Sequence, residues 1–534
     1  MLHTEAPHLR EPHALPPSLP RRIAARVSWP LVAVLAVQAG FSLSLVWSNT
    51  AFGDEANYLW QGHLQWAHWL HGNPNPAFHD SGAHQIYPPL GALAESFGGL
   101  ASARILSLCF MLGATVLLYL TASRLFGTRA AIIASALWAL SEPVLRLAFA
   151  TYDPMSCFLV TLSAWLALQA GVRRHRVALV AASAATLLLA CATAYSFAII
   201  VPAVIAFAFF AWASSVGIHL AWRLTAGLLA GTIVPAAVGV TALHLWADIF
   251  ATTVSRPTVG GGLGADVASV ARSAWSWDGL IFALACIGVV MALAVERLWS
   301  RKLLLLTLVV AGVLVPVYQA YIGTGFSMDK HMSAGTWFLA MAAGYGVARM
   351  TAAARWKPLT AASIAVAFLA FPAITGLLYA RTVYHSWPNT SVLVARVEPL
   401  LKATTRPIFV GGGVGGTEDI LKNAVPQGID WARWGAGSPS TALRTGRFGV
   451  VVMQLDSTIN SAQLPREVVS GNIRNLSAEI LALTTSNAID SASLFSLVKD
   501  IERSRYYQLQ FVIPFSTSDS ARRSGLFAVW KRVG

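Results

Sequence analysis

The sequence has 534 residues, of which 56% are hydrophobic and 12% charged, with a formal net charge of +14 and a mean hydropathy of +0.59. Soluble domains carry about 25% charged residues, so a soluble globular protein is excluded and a polytopic membrane protein is indicated. Nucleic acid is not the expected partner of the positive charge, because the arginines and lysines gather in short segments between apolar runs, as in loops held on the cytoplasmic side. Part of that charge can attract anionic lipid headgroups, phosphorylated lipid substrates included. Cys109, Cys157, Cys191 and Cys286 lie in apolar stretches without CxxC spacing, so neither a disulfide framework nor a zinc site is expected.

In chain order, residues 1–28 read as a polar, Pro-containing, disordered cytoplasmic tail that ends in Arg21, Arg22 and Arg26. The apolar run Leu31 to Trp47 follows and is long enough with its flanks to span a bilayer. A cleaved signal peptide is the competing reading; the long tail ahead of the run and the acidic loop after it favour a retained helix. That loop, external and covering 49–100, opens with Phe52-Gly53-Asp54-Glu55-Ala56-Asn57-Tyr58, two adjacent carboxylates at a membrane boundary. Tyr58 to His71 is too short and polar to span but carries Trp60, Trp66 and Trp69, which suits an interfacial helix. His68 and His71 have helix-face spacing for a metal, but no carboxylate or cysteine completes a ligand set. Tyr87-Pro88-Pro89-Leu90 is a rigid turn back toward the membrane.

Apolar runs then follow at roughly 101–123, 130–148, 154–171, 177–193, 196–213, 223–246, 279–296, 303–322, 333–349 and 359–380, giving about eleven spans with the first. Arg124 and Arg129, Arg173 to Arg176, Arg223, Arg297 with Arg301 and Lys302, and Arg349 with Arg355 and Lys357 all fall on alternate connectors. One orientation therefore fits all of them, with the amino terminus inside. The fold class expected for 29–380 is a polytopic α-helical membrane domain. Residues 381–534 differ in composition, with strand-like runs at 408–410, 448–453, 510–513 and 526–530 and helical periodicity near 417–424, 475–483 and 492–505. They read as a soluble α/β domain on the non-cytoplasmic side.

Acidic residues are scarce, so their positions are informative. Asp54 and Glu55 end the first span on the external face, and Asp153 opens the fourth within Ala150-Thr151-Tyr152-Asp153-Pro154-Met155. Carboxylates at membrane depth are functional candidates by default. The plainer reading of Asp153 is a helix cap before Pro154.

The motifs FGDEANYLW, YPPLGALAESFGGLASARILS and ATYDPMSCFLVTLSAWLAL resemble those of the lipid-linked-sugar glycosyltransferases of the GT-C superfamily. The style is similar to that of protein O-mannosyltransferases and bacterial lipid A aminoarabinose transferases. The resemblance covers residues 30 to about 380. It implies a sugar donor on polyprenyl or dolichyl phosphate, inverting transfer to a hydroxyl of a glycan, lipid or protein acceptor, and a site on the outer face of the cytoplasmic membrane. Asp54 would then be the general base, Glu55 its neighbour, and Asp153 a second carboxylate that orients acceptor or base. Tyr58, Tyr87 and Tyr152 are the candidate substrate contacts.

A departing phosphate needs cations on the same face. Lys330 and His331, within Phe326-Ser327-Met328-Asp329-Lys330-His331, are placed to meet a lipid phosphate; the competing reading is a snorkelling lysine paired with Asp329. Arg146 and Arg256 are weaker candidates. Relatives often carry a lysine in an LTK-like motif where this chain reads Ala192-Thr193-Ala194-Tyr195-Ser196, so donor contacts must come from elsewhere. No ligand cluster points to a tightly held metal, and a divalent cation stays open as a cofactor. Gly260 to Gly264 reads as a flexible external loop. Gly411 to Gly416 fits GxGxxG ahead of Asp430, but with no complete Rossmann unit it reads as a tight strand-to-helix turn. A transporter or flippase of lipid-linked saccharides is the alternative function. It would need internal repeats or polar residues through the span interiors, and a structural or sensory protein would leave Asp54 and Asp153 without a role.

Overall fold

The computed structural model describes residues 28–75, 84–253, 266–325, 327–353, 358–384, 386–411, 416–425, 431, 439–455, 476, 491–517 and 524–533. The expectations for the amino-terminal tail before Ser28, Arg256, the Gly260 to Gly264 loop, residues 412–415, Asp430 and most of 475–483 lie outside the described residues.

Up to residue 384 the elements are α1 (Trp29–Val46), α2 (Gly53–His71), α3 (Tyr87–Phe126), α4 (Thr128–Ala139), α5 (Glu142–Arg146), α6 (Asp153–Ala170), α7 (Arg176–Thr193), α8 (Val201–Ser215), α9 (Ile218–Ala242), α10 (Trp246–Thr252), α11 (Val267–Val295), α12 (Trp299–Tyr321), α13 (Met328–Ala353) and α14 (Pro358–Tyr384). A short 3-10 turn, Tyr195–Ile200, leads into α8. Among the described residues eight helices are long and apolar enough to cross a membrane: α1, α3, α7, α8 with its 3-10 turn, α9, α11, α12 and the Val366–Tyr384 part of α14. This is a multi-pass membrane protein.

The other three expected spans are helical in part. Helices α6 and α13 form, with 18 and 26 residues, but each carries charged groups at its amino-terminal end. The run 130–148 is not one span: α4 stops after 12 residues, the chain turns through an extended Ser141 (ψ 147°), and α5 adds five more. Pro143 is the physical reason, since it has no N–H for the Ala139 carbonyl four residues back and its ring would clash with that carbonyl in a continuous helix. Helix α3 has 40 residues and starts earlier than expected, at Tyr87; a kink at Gly98 and Gly99 separates its first residues, 87–97, from the long apolar run.

Lipid is as apolar as leucine, so helices in a bilayer associate through close backbone approach and internal hydrogen bonds. Helix α13 does both. Gly288 of α11 faces Ala342 and Gly346 of α13, and a Cβ on Gly346 would lie 2.8 Å from the Leu284 carbonyl oxygen. The buried indoles of Trp138 and Trp337 donate to the carbonyls of Ser333 and Ala114, each at 3.1 Å. Those bonds tie α13 to α4 and α3. Gly288→Leu should therefore destabilise the bundle by about 1–3 kcal/mol through overpacking, read as a lower temperature of aggregation in detergent by size-exclusion chromatography.

Beyond residue 384 come α15 (Ser391–Lys402), α16 (Thr417–Ala424), α17 (Pro439–Arg444) and α18 (Ser491–Arg503), with strands β1 (Ile408–Gly411), β2 (Val450–Leu455), β3 (Tyr507–Ser516) and β4 (Ser524–Arg532). The strands match the four apolar runs of the sequence and form one sheet in the order β1-β2-β4-β3. β1 and β2 are parallel, and the remaining pairs are antiparallel. Alternate residues of β2 face opposite layers: Val450 and Val452 pack with Leu393, Val397 and Leu421, while Val451 and Met453 pack with Leu443, Val498 and Ile501. A strand buried on both faces explains its unbroken apolar sequence.

Candidate active site

The site is built on the elbow between α1 and α2. A helix end leaves carbonyls without partners, and here Arg104 of α3 supplies them. Its guanidinium donates to the carbonyls of Leu45 (3.3 Å), Val46 (3.0 Å), Asn49 (3.1 Å) and Thr50 (3.2 Å). It also donates to both oxygens of Glu55, at 2.8 and 2.7 Å. Glu55 in turn accepts from the backbone N–H of Ala150 at 2.7 Å and of Phe52 at 3.3 Å. Both side chains are fully buried. Glu55 is thus turned into the fold and its acceptors are occupied.

Asp54, one residue earlier, turns the other way. Its carboxylate lies 2.7 Å from Lys330 Nζ, and the same ammonium is 3.3 Å from Asp153. His331 Nε2 is 3.4 Å from the second Asp153 oxygen, and Thr151 donates to Asp153 at 3.1 Å. Asp54, Asp153, Lys330 and His331, separated by up to 277 positions in the chain, therefore meet at one end of the bundle. The Asp153 and Lys330 side chains are 0% and 4% exposed, whereas Asp54 is 36% exposed, so Asp54 is the carboxylate that an incoming molecule meets first. Burial alone would raise its carboxyl, but the Lys330 ammonium, with Arg146 behind it, holds it below the usual aspartate range.

Lys330 is not a snorkelling partner of Asp329. Asp329 instead pairs with Arg146 at 3.1 Å and accepts from Tyr379 at 3.5 Å. The Arg146 guanidinium also rests 4.7 Å from the Phe52 ring centre and 5.1 Å from that of Phe149. The aromatic wall comes from Tyr152, whose ring is 5.6 Å from Lys330 Nζ and 4.5 Å from both Tyr58 and His84. Burial pushes the Tyr58 hydroxyl well above its ordinary value, so it stays a neutral donor. Tyr87 is fully buried in the same core, and Ala194 is buried as well.

Behind His331 a pocket is lined by Ser196, Ile199, Thr253, Val315, Tyr318, Gln319 and Ile322. Further along the same two segments lies an apolar groove of ≈ 340 Å³, between Pro202, Ala203, Ala206 and Phe210 on one side and Leu303, Leu306, Val310 and Leu314 on the other. From Ile322 back to Leu303, α12 rises by about 30 Å at 1.5 Å per residue, the thickness of a bilayer core.

Arg104 is the residue that sequence reasoning overlooked. An arginine at the start of an apolar span needs a partner, and that signal was present in Ala101-Ser102-Ala103-Arg104-Ile105.

The chain is a multi-pass helical bundle with paired acidic and basic side chains gathered at one end, followed by a four-stranded mixed sheet. No protein-family model and no curated protein matches the chain. Among solved structures it is similar to ArnT from Cupriavidus metallidurans bound to undecaprenyl phosphate, with 14% identity and a TM-score of 0.50 over 94% of this chain and 98% of that one. It is also similar to the Archaeoglobus fulgidus oligosaccharyltransferase in complex with Zn and sulfate (14% identity, TM-score 0.51, 85% of this chain and 69% of that one). A second structure of that protein, tethered with an acceptor peptide containing the NVT sequon, gives 12% identity and a TM-score of 0.51 over 90% and 72%. At these identities the shared property is the fold.

Proposed function

We propose that the chain is an inverting membrane glycosyltransferase that moves a sugar from a polyprenyl-phosphate donor to a hydroxyl of a glycan, lipid or protein acceptor. It would work on the non-cytoplasmic face of the cytoplasmic membrane, where the carboxy-terminal domain would also lie. The observation that carries this reading is the meeting of Asp54, Asp153, Lys330 and His331 at one end of the bundle. The undecaprenyl phosphate of the ArnT structure and the acceptor peptide of the archaeal structure support a lipid-phosphate donor and a macromolecular acceptor.

In this reading Asp54 Oδ takes the proton of the acceptor hydroxyl as its oxygen attacks the anomeric carbon. The bond from that carbon to the phosphate oxygen breaks on the opposite side, which inverts the centre. The charge left on the phosphate falls to Lys330 and His331, which replace the lysine absent at Ala194. Asp153 holds the Lys330 and His331 side chains in place, Tyr58 and Tyr152 form the wall against the substrate, and Tyr87 supports them from the core. The apolar groove between α8 and α12 suits a polyprenyl tail. Glu55 acts through Arg104 and fixes the elbow that presents Asp54. An ammonium bridges the two carboxylates; a divalent cation, such as the Zn of the archaeal structure, would have to displace it to be held by Asp54 and Asp153, where it would supply Lewis-acid stabilisation of the departing phosphate.

The reading is tested by offering defined polyprenyl-phosphate sugars to membranes that contain the protein and identifying the product by mass spectrometry. Absence of any transfer across donors and acceptors overturns it. Lys330→Ala should raise the donor KM by about tenfold or more through loss of a charge-assisted contact and leave the acceptor KM unchanged in initial-rate kinetics. A carboxyl held below its ordinary value stays ionised as pH falls, so turnover should persist through mild acid. The same variant should move the acid limb of the profile upward.

A further inference from the structure

We infer that the carboxy-terminal domain sets the position of Asp54 through contact of Gly416 with Gly53, which makes Gly416 a positioning residue. The inference rests on the proposed role of Asp54 as base. Gly416 ends the glycine run after β1 and precedes α16, with a left-handed φ of +68°. A Cβ at Gly416 would overlap Gly53 Cα and come within 3.4 Å of Gly53 N. Gly53 is the first residue of α2, and the next is Asp54. Helices α16 and α2 therefore begin against each other, backbone to backbone, at the residue beside the candidate base.

The two helices stay together beyond that point. Lys422 Nζ of α16 lies 4.7 Å from the Trp60 ring centre on α2, and it pairs with Glu418 at 2.7 Å. Asn423 Nδ2 donates to Glu95 Oε1 of α3 at 3.2 Å, while the other Glu95 oxygen pairs with His63 of α2 at 2.8 Å. Glu95 thus links α2, α3 and α16. The first turn of α2 is held from the membrane side by Arg104 on Glu55 and from the soluble side by Gly416 on Gly53. An ångström of displacement there would break the Asp54–Lys330 bond, and misplacements of that size cost about 100-fold in rate in oriented sites.

Two variants of the full-length protein in nanodiscs separate this contact from backbone strain. Gly416→Ala adds a Cβ and opposes the left-handed φ; Gly416→Asn adds the Cβ but tolerates that φ. Both should lower kcat by about tenfold or more, change donor and acceptor KM by less than about twofold, and speed hydrogen–deuterium exchange at amides 54–60. Wild-type kcat and protection in Gly416→Asn would overturn the inference. Where neither variant inserts, Lys422→Ala with Asn423→Ala should give the same faster exchange in α2, and unchanged exchange overturns it. If Asp54→Asn retains turnover while Gly416→Asn still loosens α2, the base assignment fails and the docking stands.

Discussion

Asp54→Asn should lower sugar transfer by about 10²- to 10⁴-fold, the range a general base contributes, without loss of the folded protein. Asparagine keeps the size of the side chain and one oxygen for Lys330, but it cannot take a proton. Asp54 is also the most exposed member of the cluster, at 36%, so its neutralisation leaves no uncompensated charge in the interior. The measurement is turnover of a synthetic polyprenyl-phosphate sugar in proteoliposomes at matched protein content. Turnover within about threefold of wild type would remove the base from the mechanism. Asp153→Asn should be impaired as well, because Lys330 and His331 lose their buried partner, and a double variant should lose less than the product of the two single losses.

Arg104→Met should have the largest effect on stability. Methionine fills much of the same space, but it leaves the fully buried Glu55 carboxyl without its partner and takes the guanidinium away from the carbonyls of Leu45, Val46, Asn49 and Thr50, of which Leu45 keeps Ser48 and Thr50 keeps Trp387 as donors. Breaking a buried pair of this kind costs about 3–5 kcal/mol. Thermal aggregation in detergent should show it, and adding Glu55→Gln to Arg104→Met should recover part of the loss. A single variant as stable as wild type would mean that the elbow is held by its aromatic contacts instead.

The candidate site was readable in the sequence to the extent that it depends on scarce residues at membrane boundaries. Asp54, Asp153, Lys330 and His331 stood out because charge is costly there, and the matching connector charges put them on one face. Pairings were another matter. Lys330 has Asp329 beside it in sequence, yet it bonds Asp54, 276 positions away, while Asp329 goes to Arg146. Neighbours on a helix point in different directions, and only the packed bundle decides whom each one meets. Glu55 read as a partner of Asp54 for the same reason, when the helical turn sends it inward to Arg104. The glycine run after β1 gave its conformation to the sequence reading but not its contact, because Gly53 lies more than 350 positions earlier. The strands of the carboxy-terminal sheet were legible from their apolar runs, whereas the break at Ser141 was hidden in a run whose composition suits an unbroken span.

The lysine shared between two carboxylates also bears on how the proposed reaction ends. A polyprenyl-phosphate sugar is a diester with one negative charge; the lipid monophosphate left after transfer gains a second as its last oxygen ionises near pH 6. Asp54, protonated by the acceptor, returns its proton to water and becomes an anion again beside that phosphate. The product then competes for Lys330 with two acids rather than one, and mutual repulsion favours its departure into the bilayer. Such a site would clear its spent carrier lipid faster at higher pH.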